Sequence, residues 1–346
     1  MNLEERMGPA EAVDLLENAS LIELGQMADA CRRKKHPEGQ VSFVVDRNIN
    51  YTNVCSCQCK FCAFYARPED ERGYVLSREV LAEKIDETLA LGGTQILLQG
   101  GMNPLLDLAW YEELLGWIDT HFPIHVHGFS PPEIAWLSRK SGLAIDETIA
   151  RLQAAGLKSI PGGGAEILVD RVRRHISPNK CSANTWLEVM RKAHQLGMRS
   201  SATMMFGHVE SSWELVEHLE KIRALQDETG GFTAFIPWTF QPTHTALDAP
   251  KASSSSYLKV LALSRIYLDN IDNIQASWVT QGEKVAQVAL FFGANDMGST
   301  MIEENVVAAA GVNHMLPKEA LVRVVKSAGF SPVQRDCFYN TIGADF

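Results

Sequence analysis

Four cysteines crowd into eight residues of this chain: Cys55, Cys57, Cys59 and Cys62, within Asn53-Val54-Cys55-Ser56-Cys57-Gln58-Cys59-Lys60-Phe61-Cys62-Ala63-Phe64-Tyr65. Cys55, Cys59 and Cys62 have C-x3-C-x2-C spacing. Three thiolates so placed can hold three irons of a four-iron four-sulfur cubane and leave the fourth iron open. An open iron binds a small molecule instead of only passing electrons. The amino and carboxylate groups of S-adenosylmethionine can chelate it, and one electron then breaks a carbon–sulfur bond to give methionine and a 5′-deoxyadenosyl radical. The protein's share is binding, orientation and exclusion of side reactions. Two other readings stay open. With Cys57 as a fourth ligand the sulfurs would close a zinc site, although thiols this dense rarely wrap one tetrahedral ion. An electron-carrying ferredoxin site would also need a fourth cysteine, usually in a smaller chain. Cys57 reads as a bystander. Phe61, between the second and third cysteines, can lie along an adenine, and Phe64 and Tyr65 can shield a cluster or simply pack.

Such a loop needs a scaffold, and the rest of the chain supplies one by pattern. Short apolar or β-branched runs recur at 41–46 (continuing toward Tyr51), 95–98, 124–129, 158–161, 201–206, 232–238, 273–278 and 289–293. These predict eight strands. Helical patterns fall between most of them. Ser77 can cap a helix carrying Val80, Leu81, Ile85 and Leu89 and ending at Gly92-Gly93. Ser211 with Glu214 forms a capping box ahead of Leu215, Leu219 and Ile222, and Trp186, Met190 and Ala193 share a face. Strands alternating with helices imply parallel βαβ units. Eight units without a linker predict an α/β fold, a closed (β/α)8 TIM-type barrel over residues 39–346 with C-terminal helices. An N-terminal helical preamble over residues 1–38 is expected to cover its bottom. An open doubly wound sheet is the alternative. In such barrels the chemistry sits on loops at the C-terminal ends of the strands.

Unusual residues fall there. Gln99-Gly100-Gly101 ends the second strand, and its glycines let the backbone approach a ligand, here the methionine end of the cofactor. His125 and His127 share one face of the third strand by alternation and are expected to hydrogen-bond substrate or to be satisfied in the core. Pro161-Gly162-Gly163-Gly164-Ala165-Glu166 ends the fourth. It matches neither a P-loop nor a dinucleotide fingerprint, and Glu166 is expected to contact hydroxyls or an amino group. The apolar strand 201–206 followed by Gly207 can lie flat against adenine. Trp238, Phe240 and Gln241 make a wall with one polar handle, suited to a flat aromatic substrate. Asp296, assigned to the end of the eighth strand, is a candidate general base or a helix cap.

The totals narrow the rest. The chain has 346 residues, 46% of them apolar, with net charge −10. Its one basic run is Arg32-Arg33-Lys34-Lys35, which argues against nucleic acid and against an anionic membrane surface. No apolar run approaches the ~20 residues of a membrane span. The N-terminus lacks a signal-peptide pattern, so a cytoplasmic protein is expected. Clustered cysteines in such a chain point to metal or redox chemistry rather than disulfides. Cys31, Cys181 and Cys337 stand alone and read as small buried residues.

Seven segments carry a family resemblance: YTNVC…CKFCAFY (51–65), LLQGG (97–101), HGFSPPEI (127–134), SIPGGGAEIL (159–168), ATMMFGHVE (202–210), FIPWTFQPTHT (235–245) and FGANDMGSTMIEENV (292–306). With them the chain resembles the radical S-adenosylmethionine (SAM) superfamily from about Val41 onward. More narrowly it resembles the cyclic dehypoxanthinyl futalosine synthase family of the futalosine route to menaquinone. Aminofutalosine synthase and deazaflavin (FO) synthase families share the cluster and GGGAE-type segments. The resemblance implies a [4Fe-4S] cluster on Cys55, Cys59 and Cys62, SAM as second cofactor, and an external one-electron donor such as flavodoxin or ferredoxin. It implies dehypoxanthine futalosine as substrate, hydrogen abstraction from ribose C4′, and ring closure onto the benzoate. It implies that Gly100 and Gly101 hold the methionine amino group and that Gly207 with Glu210 lies beside the adenine. Two positions depart from the pattern. Cys57 is not expected there, and Met102 stands where many superfamily members carry an acidic residue.

Overall fold

The computed structural model describes residues 6–312, 314–344 and 346. Its frame is a ring of parallel strands. β1 (Gln40–Val44) and β2 (Asp46–Asn50) are the lower and upper halves of one strand bent at Val45. They are followed by β3 (Gln95–Gln99), β4 (His125–Gly128), β5 (Ser159–Ile160), β6 (Arg199–Phe206), β7 (Phe232–Thr239), β8 (Asn273–Ile274) and β9 (Asp296–Ser299). β2 through β8 pair in sequence order as a seven-stranded parallel sheet. β9 closes the ring. Asp296 bridges to Gln275 beside β8, and β9 pairs in parallel with β1 at Ser42↔Asp296 and Val44↔Ser299. The result is an eight-staved TIM-type barrel.

Helices pack the outside. Ser77 caps Arg78–Ala90 by accepting from the Val80 N–H, and the Ser211–Glu214 box opens Ser212–Thr229 as its spacing predicts. In the helix Ala183–Gln195, Trp186, Met190 and Ala193 are all fully buried. Each large apolar side chain so buried contributes roughly 1.5–3 kcal/mol relative to exposure. Gly162 marks a close approach of staves, because a Cβ there would lie 2.7 Å from the Ala202 Cα.

Two expectations need correction. The run 289–293 is not a strand. Ala289 ends the helix Glu283–Ala289 and the following residues turn, so the eighth stave starts later, at Asp296. Short apolar runs fit a buried strand and a helix end equally well. Nor do the N-terminal helices close the bottom. Pro9–Asn18 lies along Ser212–Thr229, and Leu21–Lys35 lies along Ser254–Tyr267, both on the barrel's flank. The bottom is crossed instead by a C-terminal hairpin, β10 (Ser331–Arg335) and β11 (Thr341–Gly343). β10 pairs in parallel with β1 from Gln40↔Ser331 to Phe43↔Gln334. The hairpin loop sets the Phe338 ring edge-on to His125, with centroids 5.1 Å apart, and the Cys337 Sγ 3.4 Å from the Ser159 Oγ.

Candidate active site

The cysteine loop leaves the top of β2 with almost no regular structure, yet it is pinned throughout. The Cys55 N–H donates to Ala66 O (2.9 Å), Ser56 N–H to Met102 O (3.1 Å) and Lys60 N–H to Ile176 O (2.8 Å), while Lys60 O accepts from the Ala246 N–H (2.8 Å). Cys57 and Cys59 are buried, Cys55 and Cys62 partly so, and all four are free thiols. The two residues that depart from the family pattern meet here: the Cys57 thiol lies 3.1 Å from the Met102 Sδ. The Cys57 thiol also lies 3.4 Å from the Asn179 carbonyl oxygen. The neighbouring Cys57 thiol holds Cys55 down at about 6 and lowers Cys59, while Cys57 itself is pushed up by its two neighbours. Beside them Lys180 donates to the Glu166 Oε1 (2.6 Å), with its Nζ 4.9 Å from the centre of the Phe61 ring. Burial alone would lower this ammonium, but Cys59 and Glu166 outweigh burial and raise it.

The donor set suits an iron–sulfur cluster. Three sulfurs share one pinned loop, and a buried cation offsets their negative charge. Among the described residues no three His, Cys, Asp or Glu side chains converge as ligands of a single ion. A cubane is gripped at separated corners and does not require that convergence. At the neighbouring rim, the Glu166 Oε2 is buried and takes no hydrogen bond from a described residue, with the Arg173 Nη1 3.8 Å away. An oxygen left this way is suited to an ammonium or hydroxyl of a bound ligand.

The glycines at the rim are demanded by packing. A Cβ on Gly100 would lie 2.5 Å from the Tyr51 ring, and one on Gly101 would lie 2.2 Å from the Val54 carbonyl oxygen. Their N–H groups are already used: Gly100 donates to the Glu133 Oε1 (3.1 Å) and Gly101 to Thr52 O (3.0 Å). Only carbonyls remain there for a ligand's amino group. Glu133 was not singled out in the sequence. It is 3% exposed and also accepts from Tyr51 OH (2.7 Å), Ser130 N–H (2.7 Å) and Ser130 Oγ–H (2.6 Å). The signal that could have found it is the capping box Ser130-Pro131-Pro132-Glu133, which opens the helix Pro131–Ser141. At the end of β6, Glu210 closes its own loop by accepting from the N–H groups of Gly207 (2.6 Å) and His208 (3.1 Å). Gly207 has φ +87°, a conformation that favours glycine. Glu210 therefore shapes the loop, and its oxygens are engaged by the protein.

Below the rim the barrel encloses a cavity of about 310 Å³, walled by Gln99, His127, Gly163, Thr203 and Trp238 among others. Of the five residues predicted to touch substrate or act as base, His127 and Trp238 line that wall, and His125, Gln241 and Asp296 fall outside it. His125 sits beneath Phe338 and shares the Ser159 Oγ with His127, each ring nitrogen at 2.7 Å. Burial lowers His125 to about 4 and His127, which does line the cavity, to about 3. Gln241 turns back on its own strand, its Nε2 donating to Thr239 O (3.1 Å) and Oγ1 (3.0 Å). Asp296 does not stand free at a strand end. It begins β9, is fully buried, accepts from the Arg335 Nε (2.6 Å) and Nη2 (3.0 Å), and takes further bonds from Ser42 and the Gly298 N–H. Both its oxygens are held by the protein, tying β9 to β1 and the C-terminal hairpin at the barrel floor. Phe240 is core, and Phe61 packs among the thiols.

Comparison with known proteins places this geometry. Residues 49–222 match the Radical SAM superfamily, and residues 229–344 match the CofH/MqnC C-terminal region. A protein of Halalkalibacterium halodurans named cyclic dehypoxanthine futalosine synthase is 44% identical, covering 98% of this chain and 92% of its own. One of Streptomyces coelicolor with the same name is 43% identical over 96% and 85%. A protein of Methanococcoides burtonii named 5-amino-6-(D-ribitylamino)uracil–L-tyrosine 4-hydroxyphenyl transferase is 39% identical over 96% and 95%. Among solved structures, methylornithine synthase superposes with a TM-score of 0.72 at 18% identity, covering 95% of both chains. The hydrogenase maturase HydG gives 0.74 at 16% identity, over 97% of this chain and 74% of its own.

Proposed function

The chain belongs to the radical SAM superfamily, in the group that shares the CofH/MqnC C-terminal region, and from that membership we propose that it converts dehypoxanthine futalosine to its cyclic form in menaquinone biosynthesis. The observation that carries the proposal is the whole-length similarity to two cyclic dehypoxanthine futalosine synthases. Under it, Cys55, Cys59 and Cys62 hold the cluster, and Cys57 keeps its proton and stays unligated. The Gly100 carbonyl and the Glu166 Oε2 receive the amino end of SAM, and Lys180 offsets the cluster's charge. When bound, the two cofactors supply a primary carbon radical able to abstract an unactivated hydrogen. The protein's own contribution is a cavity walled by the barrel staves. His127, neutral at physiological pH, and the Trp238 wall orient the substrate under the rim. An external one-electron donor such as flavodoxin or ferredoxin delivers the electron, in the cytoplasm. Among the described residues no helix is long and apolar enough to cross a membrane.

The second reading is the tyrosine 4-hydroxyphenyl transferase, favoured by the 39% identity to the Methanococcoides protein. One experiment separates the two. Reconstituted, reduced enzyme receives SAM with either dehypoxanthine futalosine or the pair L-tyrosine and 5-amino-6-(D-ribitylamino)uracil, and products are weighed by mass spectrometry. A product two hydrogens lighter than dehypoxanthine futalosine, with free 5′-deoxyadenosine, is expected. Turnover of only the tyrosine pair would overturn the cyclase assignment.

A further inference from the structure

The proposed chemistry leaves the solvent side of the cysteine loop unassigned. Gln58, between the buried Cys57 and Cys59, is exposed, and its backbone is held at φ +51°. Asn179 is exposed as well. Its Nδ2 donates to Cys57 O (3.2 Å), and its own carbonyl oxygen lies 3.4 Å from the Cys57 thiol. Solvent thus reaches the loop between two buried cysteines. A second route to the thiols runs through Trp136, on the helix Pro131–Ser141. It is partly buried and packs against the cluster of Cys57, Cys59 and Met102.

One turn along that helix, Lys140 sets its Nζ 5.0 Å from the centre of the Trp136 ring. The same ammonium donates to the carbonyls of Leu106 (2.7 Å) and Pro104. Those two carbonyls flank Leu105, which is 81% exposed, more than any other large apolar side chain among the described residues. Arg139 is exposed beside Lys140 and stands three residues after Trp136, on the same helix face. Burial raises the Cys181 thiol, and Arg139 is among the cations that oppose it, which places this charge near the segment carrying Asn179 and Lys180. Neither Arg139 nor Lys140 forms an ion pair with a carboxylate among the described residues. Asp107, two residues from Leu105, is engaged as a helix cap and accepts the Trp110 N–H (3.0 Å).

A single exposed leucine is ordinary on a surface. This one stands beside two cations without counter-charges, on a chain of net charge −10, and Lys140 joins it to the ring that packs on the thiols. Encounters between redox proteins are small, burying less than about 1,200 Å², so a patch of this extent suffices for one. Opposite charges steer such encounters and set their on-rate. Electron transfer weakens steeply with distance, so a donor must dock where the cover over the cluster is thin. We propose that Leu105, Arg139 and Lys140 form the docking face for an acidic one-electron carrier protein, which passes its electron by way of Trp136 and Met102 to the cluster. The carrier loses one electron and the cluster gains it, and no bond or proton moves. The inference rests on the reading that the three cysteines hold a cluster served by an external donor, and it is independent of the substrate that follows.

The test follows the electron in its downhill direction across the same face. Cluster-loaded enzyme without SAM is reduced with dithionite, desalted and mixed anaerobically with oxidised flavodoxin, and the flavin semiquinone absorption gives the transfer rate. The parent rate should fall as salt rises. Arg139→Glu and Leu105→Glu are each expected to cut the low-salt second-order rate about tenfold, and Arg139→Glu to flatten its salt dependence. Lys34→Glu, on the barrel's flank, makes the same change in net charge as Arg139→Glu and should transfer at the parent rate. Dithionite should reduce the clusters of all four proteins to the same final extent. Parent-like rates in Arg139→Glu and Leu105→Glu would overturn the proposal. So would an equal loss in Lys34→Glu, or a loss found only with incomplete reduction by dithionite, which would place the effect in the cluster. If sedimentation shows Leu105→Glu turning a dimer into a monomer while transfer is unchanged, the face belongs to a second copy of this chain and the proposal fails. A parent that takes up no iron and shows no visible absorption before mixing would bring down the cluster reading itself. Normal transfer with no turnover of dehypoxanthine futalosine would remove only the cyclase reading and leave the docking face standing.

Discussion

The rim and the floor of this barrel solve the placement of polar groups in opposite ways. At the rim the protein spends its donors on itself: the N–H groups of Gly100, Gly101 and Gly207 go to Glu133, Thr52 and Glu210. What remains for a ligand is sulfur, carbonyl oxygen and one carboxylate oxygen, a set suited to metal and ammonium. The rim leaves acceptors open to cationic partners, whereas the floor closes its charges on one another and serves as the barrel's anchor.

The largest effects should break the rim while sparing the floor. Replacing Cys55, Cys59 or Cys62 by Ala is expected to abolish iron retention, visible charge-transfer absorption and SAM cleavage, with Tm nearly unchanged. Cys57→Ala should keep all three spectroscopic and chemical signatures. Loss of the cluster in Cys57→Ala would show that the fourth sulfur is a ligand and that the rim is more closed than proposed.

The converse experiment breaks the floor. Asp296→Asn leaves the Arg335 guanidinium buried without its counter-charge, and removing one partner of a buried pair costs about 3–5 kcal/mol. Chemical denaturation should show that loss, while iron content after reconstitution stays at the parent level. A small stability change with lost SAM cleavage would reverse the roles and return Asp296 to the chemistry.

A milder perturbation tests whether glycine at the rim serves packing. Gly101→Ala puts a methyl within 2.2 Å of the Val54 carbonyl oxygen, one residue from Cys55. Accommodating it should cost about 1–3 kcal/mol and loosen the cluster loop. Slower iron uptake and faster iron loss on gel filtration would register it. Wild-type cluster retention would mean the pair is kept only for ligand contact.

The same division explains what the sequence revealed. The cysteine loop is contiguous, so its C-x3-C-x2-C spacing is legible without the fold, and the family match completes the cluster assignment. The staves announce themselves because parallel strands buried on both faces read as apolar runs. The floor joins Ser42 to Asp296, 254 positions away, and Asp46 to Ser299, 253 away, with Arg335 closing on Asp296, and no local pattern encodes such pairs. That is why Asp296 reads as a free acid, why His125 and Gln241 read as cavity residues, and why the C-terminal hairpin went unseen as the barrel's base. Glu133 lay between these cases: its capping box is local, but its bonds to Tyr51 and Gly100 are not.

The smallest effect probes where floor and wall meet, at the histidine pair on Ser159. Burial lowers His127 to about 3 and His125 to about 4, below the ordinary 6.5. The unfolded chain therefore binds protons on acidification that the folded chain refuses. Stability contributed by each neutral ring is complete above pH 6.5 and declines as pH falls toward 4, with a limiting slope of about 1.4 kcal/mol per pH unit. Between pH 6.5 and 5.5 this amounts to about 1 kcal/mol per histidine. Burial raises the carboxyls of Asp46 and Glu133, which contribute in the opposite sense. Comparing parent with His127→Asn removes that background, because both retain those carboxyls and a side chain able to meet the Ser159 Oγ. The variant should be less stable at pH 7.5 through imperfect packing, yet lose about 1 kcal/mol less than the parent between pH 6.5 and 5.5 in urea titrations. Parallel acid curves would mean that His127 takes up a proton in the folded barrel, and the wall of the cavity would then carry charge at the pH where substrate binds.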